Sequence, residues 1–384
     1  MLSDDRYPVL RLSSFFDIIR REKNMKRRIS LGLFLLMLLS IIQPFLYSHP
    51  ANAAGTAMAG SGTATDPYII TNADQLNSVR EKLGSSYKLG NDIDLSSYSN
   101  WEPIGSSSLI YFYGRFDGAG HTITGLTINR TDIDNVGVFG WVGYNGKIEN
   151  VKLVNVNVTG RATVGGLVGK NYGSISYSSV SGIVSSNGNY VGGLVGDNYG
   201  KISKSSSSAT VTGNSYYYVG GLSGYANAAS VIDNSYATGA VTGTGYVGGF
   251  IGRNFRGQII NSYAVGKVSG TTQVGGLIGN NDSGTITSSF YDTTSAQQTD
   301  TGKGDPKSTA EMRTKSTFTG AGWDFDTVWE MSDGQYPTLQ PLVTDADAVA
   351  NAKTALEIGY GSGDSETSVT QDLTLPTAGA SDTT

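Results

Sequence analysis

The sequence predicts an all-β fold in which short strands coil into a parallel solenoid. Three observations carry that prediction. A unit of 27–28 residues recurs six times across residues 136–291, each unit holds only short apolar pulses, and glycine (52 of 384 residues), asparagine and serine separate the pulses. Pulses this short are strands rather than helices. One unit cannot bury its apolar face alone, whereas a stack of equivalent units can.

Each unit opens with a V-G-G-L-V-G-like segment, at Val136, Val164, Val191, Val219, Val247 and Val274, in steps of 28, 27, 28, 28 and 27 residues. Three positions later stands a large apolar residue: Phe139, Leu167, Leu194, Leu222, Phe250 or Leu277. An isoleucine follows at Ile148, Ile175, Ile202, Ile232, Ile259 and Ile286, and most units close with V-[TS]-G, as at Val211-Thr212-Gly213. Stacked in register about 4.8 Å apart, these become files of a continuous core, with backbone groups paired to the rungs above and below. Glycines at fixed places are expected to turn the corners with φ > 0.

Two further files are expected. Seven residues after the opening valine stand Asn171, Asn198, Asn254 and Asn281, with Ala226 interrupting the series. In-register amides can bond along the axis and cap turns, so this file reads as structural. Tyr190, Tyr218 and Tyr246 each precede an opening valine. With that valine inward, strand alternation sends the tyrosines outward, reinforced by Tyr216 and Tyr217. Such rings are candidates for stacking on sugar faces or meeting a protein partner. The competing expectation is that they only stiffen the rung edge.

The N-terminal residues read as an export signal, 1–53. Arg20, Arg21, Lys23, Lys26, Arg27 and Arg28 precede an apolar stretch from Ile29 to about Tyr47, and Ala51-Asn52-Ala53 offers a cleavage site. Met25 is an alternative start. The apolar run approaches spanning length, but Pro44 and the small-residue site favour cleavage, which leaves no membrane span. Cleavage removes 8 of 27 basic and 4 of 32 acidic residues, leaving a net charge of −9. That balance argues against a nucleic-acid partner. With no cysteine, the exported chain has no disulfide staples and relies on stacking.

The pattern G-G-L-[VI]-G…N-x-G-x-I…N-S-Y-A-[TV]-G-x-V-[TS]-G, clearest at 247–270, resembles the GLUG motif of bacterial surface proteins. The resemblance covers roughly 109–342, including an opening segment Tyr113–Ile123 and a closing one from Trp329-Glu330-Met331 to Tyr336-Pro337-Thr338-Leu339. Residues 54–108, with Asn91-Asp92-Ile93-Asp94-Leu95 and a short helix near 73–83, look like an N-terminal cap. A cap is needed because a solenoid end presents unpaired strand edges. Residues 343–384 resemble the start of an atrophied bacterial immunoglobulin-like domain, shorter than the sandwich of about 100 residues. The expected architecture is therefore a capped, right-handed parallel β-helix followed by a partial Ig-like segment.

No catalytic constellation is expected. Acid–base chemistry on polysaccharides needs carboxylates converging from adjacent rungs. Asp197, Asp233 and Asp282 fall at different offsets. His121 and Asp117 lie in a turn-rich segment with no nucleophile marked nearby. The resemblance also implies a link to peptidases that cut immunoglobulin A, but their zinc motif H-E-x-x-H does not occur here. Gly243–Gly248 matches G-x-G-x-x-G without a following helix, and Asp132, Asp134 and Asp282 lack the spacing of a calcium loop. No cofactor or metal is expected. The expected role is non-catalytic: a secreted or cell-surface display module, adhesive or structural, meeting cell-wall or host glycans or surface proteins. The alternatives are a polysaccharide-acting β-helix enzyme, the accessory region of a larger surface peptidase, or a spacer without ligand.

Overall fold

A computed structural model describes residues 56–341 except Ser215; the export segment and the Ig-like segment lie outside the described residues. The solenoid belongs to one compact unit that begins at Ala57. Four parallel sheets run along it, and each repeat from Val164 onward contributes to all four in turn. The opening valines form a five-stranded sheet from Val164–Gly165 to Val274–Gly275. The asparagines stand at or one residue before the ends of the strands of a six-stranded sheet from Phe139–Val142 to Ile278–Asp282. The isoleucines centre a nine-stranded sheet from Tyr68–Ile70 to Thr285–Thr287. The rung-closing strands make a 13-stranded sheet that reaches Asp305–Lys307.

Register is one rung per repeat. Ile148, Ile175, Ile202, Ile232, Ile259 and Ile286 are successive partners, as are Val164, Val191, Val219, Val247 and Val274. The file from Leu167 to Leu277 sits at the corner between the valine and asparagine sheets and is wholly buried, whereas Phe139, expected in the same file, is in register with Val168 because the first repeat is one residue shorter after Val136. Burying each such side chain contributes about 1.5–3 kcal/mol. Val274 and Ile286, in the last rung, are only partly buried because no seventh repeat covers them.

The repeat glycines act by a different means from the one the sequence led us to expect. The corner between the isoleucine sheet and the closing sheet is turned by non-glycine residues with positive φ: Asn150, Tyr177, Lys204, Asn234, Asn261 and Ser288. Within the six repeats Gly182 alone among the described glycines has positive φ. The others serve close packing. A Cβ on Gly192, Gly220 or Gly248 would run into the carbonyl oxygen of Val195, Ser223 or Ile251 of the same rung. The side chain is excluded by the tight bend from valine sheet to asparagine sheet.

A buried serine ladder completes the interior. Ser178, Ser205, Ser235, Ser262 and Ser289 lie just past that left-handed corner. Each hydroxyl donates to the carbonyl two residues earlier, at 2.8–2.9 Å. Each also accepts the backbone N–H of the equivalent position one rung earlier, at 3.1–3.2 Å. The corner's polar groups are thereby satisfied inside the wall.

Both ends are covered. At the N-terminal end Ala59 bridges Ile69 in antiparallel fashion. The helix Ala73–Ser78 is capped by the Asn72 side chain and inserts Leu76 into the core, with Val79 beside it. The parallel ladder passes residue 109 without a break, because Ser86–Leu89 pairs with Arg115–Asp117. At the other end, helices Thr309–Met312 and Lys315–Thr319 lead into an antiparallel hairpin, Trp329–Glu330 with Thr338–Leu339. This segment folds back along the closing sheet and buries Phe318, Trp323 and Trp329 against Tyr263 and Phe290.

Candidate functional site

The outer surface of the asparagine sheet and its neighbouring edges carries most of the outward aromatic rings of the repeats. Tyr190, Tyr218 and Tyr246 each begin a strand of the valine sheet and are register partners. Their valines point into the core, so alternation turns the tyrosines out, half-buried against one another. Tyr190 and Tyr218 stack with centroids 5.5 Å apart and planes 13° apart, and Tyr218 meets Tyr246 at 4.9 Å. Tyr216 and Tyr217 extend the group; they are 57% and 46% exposed and touch Tyr246 and Tyr218 edge-on. The file stops at both ends, where the equivalent residues are Asn135, Thr163 and Gln273, all of which have positive φ.

Reading along the sequence missed a second group beside this file. Trp141, Tyr172 and Tyr199 stack at 5.4 and 4.5 Å with planes 16° apart, and Tyr144 packs on Tyr172. Between the two groups runs one register column: Trp141, Lys170, Asp197, Tyr225, Arg253 and Asn280. Tyr225 touches Tyr190 at 5.4 Å and Tyr218 at 5.3 Å, joining the column to the tyrosine file. The repeat offset holds a signal for most of this column, because its members from Lys170 onward stand six residues after the opening valine.

The charges on this face are held tightly. Lys170 Nζ lies 3.1 Å from Asp197 Oδ2 and over the rings of Trp141 and Tyr199 at 5.0 and 4.9 Å. Burial pushes the Asp197 carboxyl up to about 6, although Lys170 pulls it down. Burial is the strongest single influence on the Lys170 ammonium and opposes it, but the charge and hydrogen bond of Asp197 together with Tyr172 outweigh it, and Lys170 ends above its ordinary value. The asymmetry follows exposure: Asp197 is 2% exposed and Lys170 19%. Burial likewise raises Tyr190 and Tyr225, and raises Tyr199 to about 12. Arg253 donates to Tyr218 Oη at 3.1 Å and Asp282 Oδ2 at 2.6 Å, and its guanidinium covers the Tyr218 and Tyr225 rings. The result is a face of flat rings with fixed cationic and carboxylate groups between them.

The asparagines lie on the opposite side of the same sheet's strands, within the wall. Asn171, Asn198 and Asn254 are buried. Asn171 donates to Asn198 Oδ1 at 2.7 Å and Asn254 to Asn281 Oδ1 at 2.9 Å. The same amides bond Gly173, Gly200, Gly257 and Gly284 in the following turn. Where Ala226 replaces the amide, Asn254 Oδ1 is buried without a hydrogen-bond partner. Every amide here is used for turn closure.

The titratable candidates are dispersed. His121 Nδ1 lies 3.3 Å from Asp92, whereas Asp117 accepts from Ala119 N–H and the Asn150 amide, so the two do not pair. Asp197, Asp233 and Asp282 stand in register with Tyr225, Ile260 and Phe255, on separate files. One carboxylate pair is adjacent, Asp117 with Glu149 on consecutive rungs, and Arg115 bridges both. Asp134 is held by Arg161 through two bonds of 2.8 Å. Among the described residues no three His, Asp or Glu side chains are grouped to hold a metal ion, and no helix is long and apolar enough to cross a membrane.

Comparison with known proteins agrees with this architecture. The chain is 35% identical over 403 aligned positions to a protein of Evansella cellulosilytica described as a Gly-rich membrane protein, covering 76% of this chain and 46% of the relative. It is 38% identical over 139 positions to Halomucin of Haloquadratum walsbyi, covering 33% of this chain and 2% of that protein. The chain thus spans less than half the length of either relative. A crystal structure from Bacteroides ovatus, described as an immunoglobulin A1 protease, superposes with a TM-score of 0.61 at 25% identity, over 73% of this chain and 94% of that one. Residues 160–185, 187–212, 215–242 and 243–269 match the GLUG motif, and 349–384 match the atrophied bacterial Ig domain. The chain carries GLUG repeats wound into a parallel β-solenoid, with an atrophied bacterial Ig domain after it.

Proposed function

We propose that this chain is a non-catalytic cell-surface repeat protein whose aromatic outer face binds ligands, with glycans of the cell wall or a host as the favoured class. The observation that carries this reading is the two stacked ring groups, with Lys170, Asp197 and Arg253 fixed between them on one face. Rings in a row offer flat apolar faces to sugar rings, and held charges supply oriented hydrogen bonds. The descriptions of its relatives as a Gly-rich membrane protein and a halomucin support display outside the cell. The export signal read in residues 1–53 supports the same location. The account of the repeats as scaffold rests on the files themselves, whose buried polar groups are spent on one another.

Binding of the purified protein to immobilised cell-wall and host glycans tests the proposal. Intact binding without release of reducing or unsaturated ends supports it, and Tyr218→Ala should weaken binding by about tenfold, as loss of a stacked ring implies. Cleavage of any of those glycans would contradict it. The description of the Bacteroides protein favours a second reading, a substrate-holding region of a larger surface peptidase. Binding to immunoglobulin A in place of glycans would favour that one.

A further inference from the structure

A groove lies away from the aromatic face, where the C-terminal hairpin folds back along the outer surface of the closing sheet. Three clefts of about 580, 440 and 360 Å³ adjoin there. The first two share Lys152, Ser179, Ser206 and Tyr236, and the last two share Tyr177, Lys204 and the segment Leu339–Pro341. They form one continuous channel. None of its lining residues belongs to the aromatic face.

The lining has a specific chemistry. Its floor is a register column running Lys152, Ser179, Ser206, Tyr236. The ring of Tyr236 is backed by Tyr263, stacked at 5.1 Å with planes 8° apart, and so forms a rigid platform. Ser208, Thr238 and Thr338 line the same walls. Two cations face the channel. Lys204 donates to Tyr177 Oη at 2.7 Å, and neither it nor Lys152 forms an ion pair among the described residues, unlike Lys170, Lys201 and Lys303. Asp326 lies at the Lys204 end. The strands beneath are paired on both sides, so a peptide could not add itself as a further strand.

We propose that this groove is a second binding site, for an extended oligosaccharide bearing carboxylate groups. Tyr236 stacks on a sugar ring, the serine and threonine hydroxyls meet the sugar hydroxyls, and Lys152 and Lys204 receive the carboxylates.

Calorimetric titration of the purified protein with a uronate hexasaccharide and with a neutral glucose hexasaccharide tests this. The uronate should bind more tightly, with an affinity that falls as salt rises. Lys152→Ala and Lys204→Ala should each weaken it about tenfold, the value of one charge-assisted hydrogen bond, and Lys152→Arg should retain most of it. Lys147→Ala, an exposed lysine of the isoleucine sheet outside the groove, should leave uronate binding unchanged, which separates this site from a general attraction of surface lysines for the uronate. Equal binding of both hexasaccharides, undiminished binding by the double lysine variant, or preference for an acidic peptide over the uronate would overturn the proposal. Lys152 is exposed, so its variant keeps the fold and the test remains decisive.

Discussion

The repeat rungs and the C-terminal closure both bury apolar side chains, but they specify their neighbours differently. In the rungs each Ile or Leu packs on its own copy above and below, so one successful contact is reproduced along the axis. In the closure Tyr263, Phe318, Trp323 and Trp329 are all different, and their geometry is set once, with Trp323 and Trp329 at 4.4 Å. A repeating core depends on register, and an error in one rung has no alternative partner to absorb it. The closure depends on one aromatic cluster, in which Tyr263 and Phe290 come from the solenoid.

The largest expected effect exploits that difference. Ile202→Asp places an unpaired charge at a residue that is 0% exposed in the middle of the isoleucine file, and should cost more than about 4 kcal/mol and abolish the cooperative thermal transition. Trp329→Ala should cost about 3–5 kcal/mol, confined to the closure. Hydrogen exchange should then show residues 308–341 opening while the isoleucine sheet stays protected; opening of both together would mean that the two regions fold as one.

Asp197 sharpens the comparison from the outer surface. Its folded pKa is raised from 3.8 to about 6, so its contribution to stability is fully present below about pH 4 and lost as pH rises through 6. A shift of that size corresponds to roughly 3 kcal/mol. Asp197→Asn should therefore lose less stability than the native protein between pH 4 and 7, as read from denaturant midpoints; parallel curves would show that the carboxylate is not desolvated. The smallest effect is a gain. Ala226→Asn supplies the amide that Asn254 Oδ1 lacks and should stabilise by about 1 kcal/mol. A loss would mean that the turn after Ala226, where Ile232 lies 13 residues beyond its valine rather than 11 as in the preceding rung, cannot hold the amide.

What the sequence made legible follows the same division. The valine, leucine and isoleucine files were readable because a fixed period and a fixed residue type coincide. Tyr190, Tyr218 and Tyr246 were readable as a file for the same reason. Lys170 and Asp197 share an offset but differ in type, so only the pairing of strands reveals them as neighbours. The serine ladder stands three residues after each isoleucine from Ile175 on, yet serine is too common throughout the repeats for its position to stand out. Glycine was read as a source of positive φ, whereas Tyr177 and Lys204 take that role and glycine instead admits close backbone contact. The fold-back of Trp329 onto Tyr236 joins residues 93 positions apart and outside any period, so no local signal announces the groove beneath it.

The central claim is that equivalent residues of successive repeats lie one above another. The chain has no cysteine, so paired labels can be placed freely. Ile183 and Thr210 are exposed and are register partners on adjacent rungs. Spin labels on Ile183→Cys and Thr210→Cys should lie within about 10 Å and give a strongly dipole-broadened spectrum, since adjacent strands are about 4.8 Å apart. Two sharp, independent spectra from the doubly labelled protein would contradict the stacking on which both proposed binding faces depend.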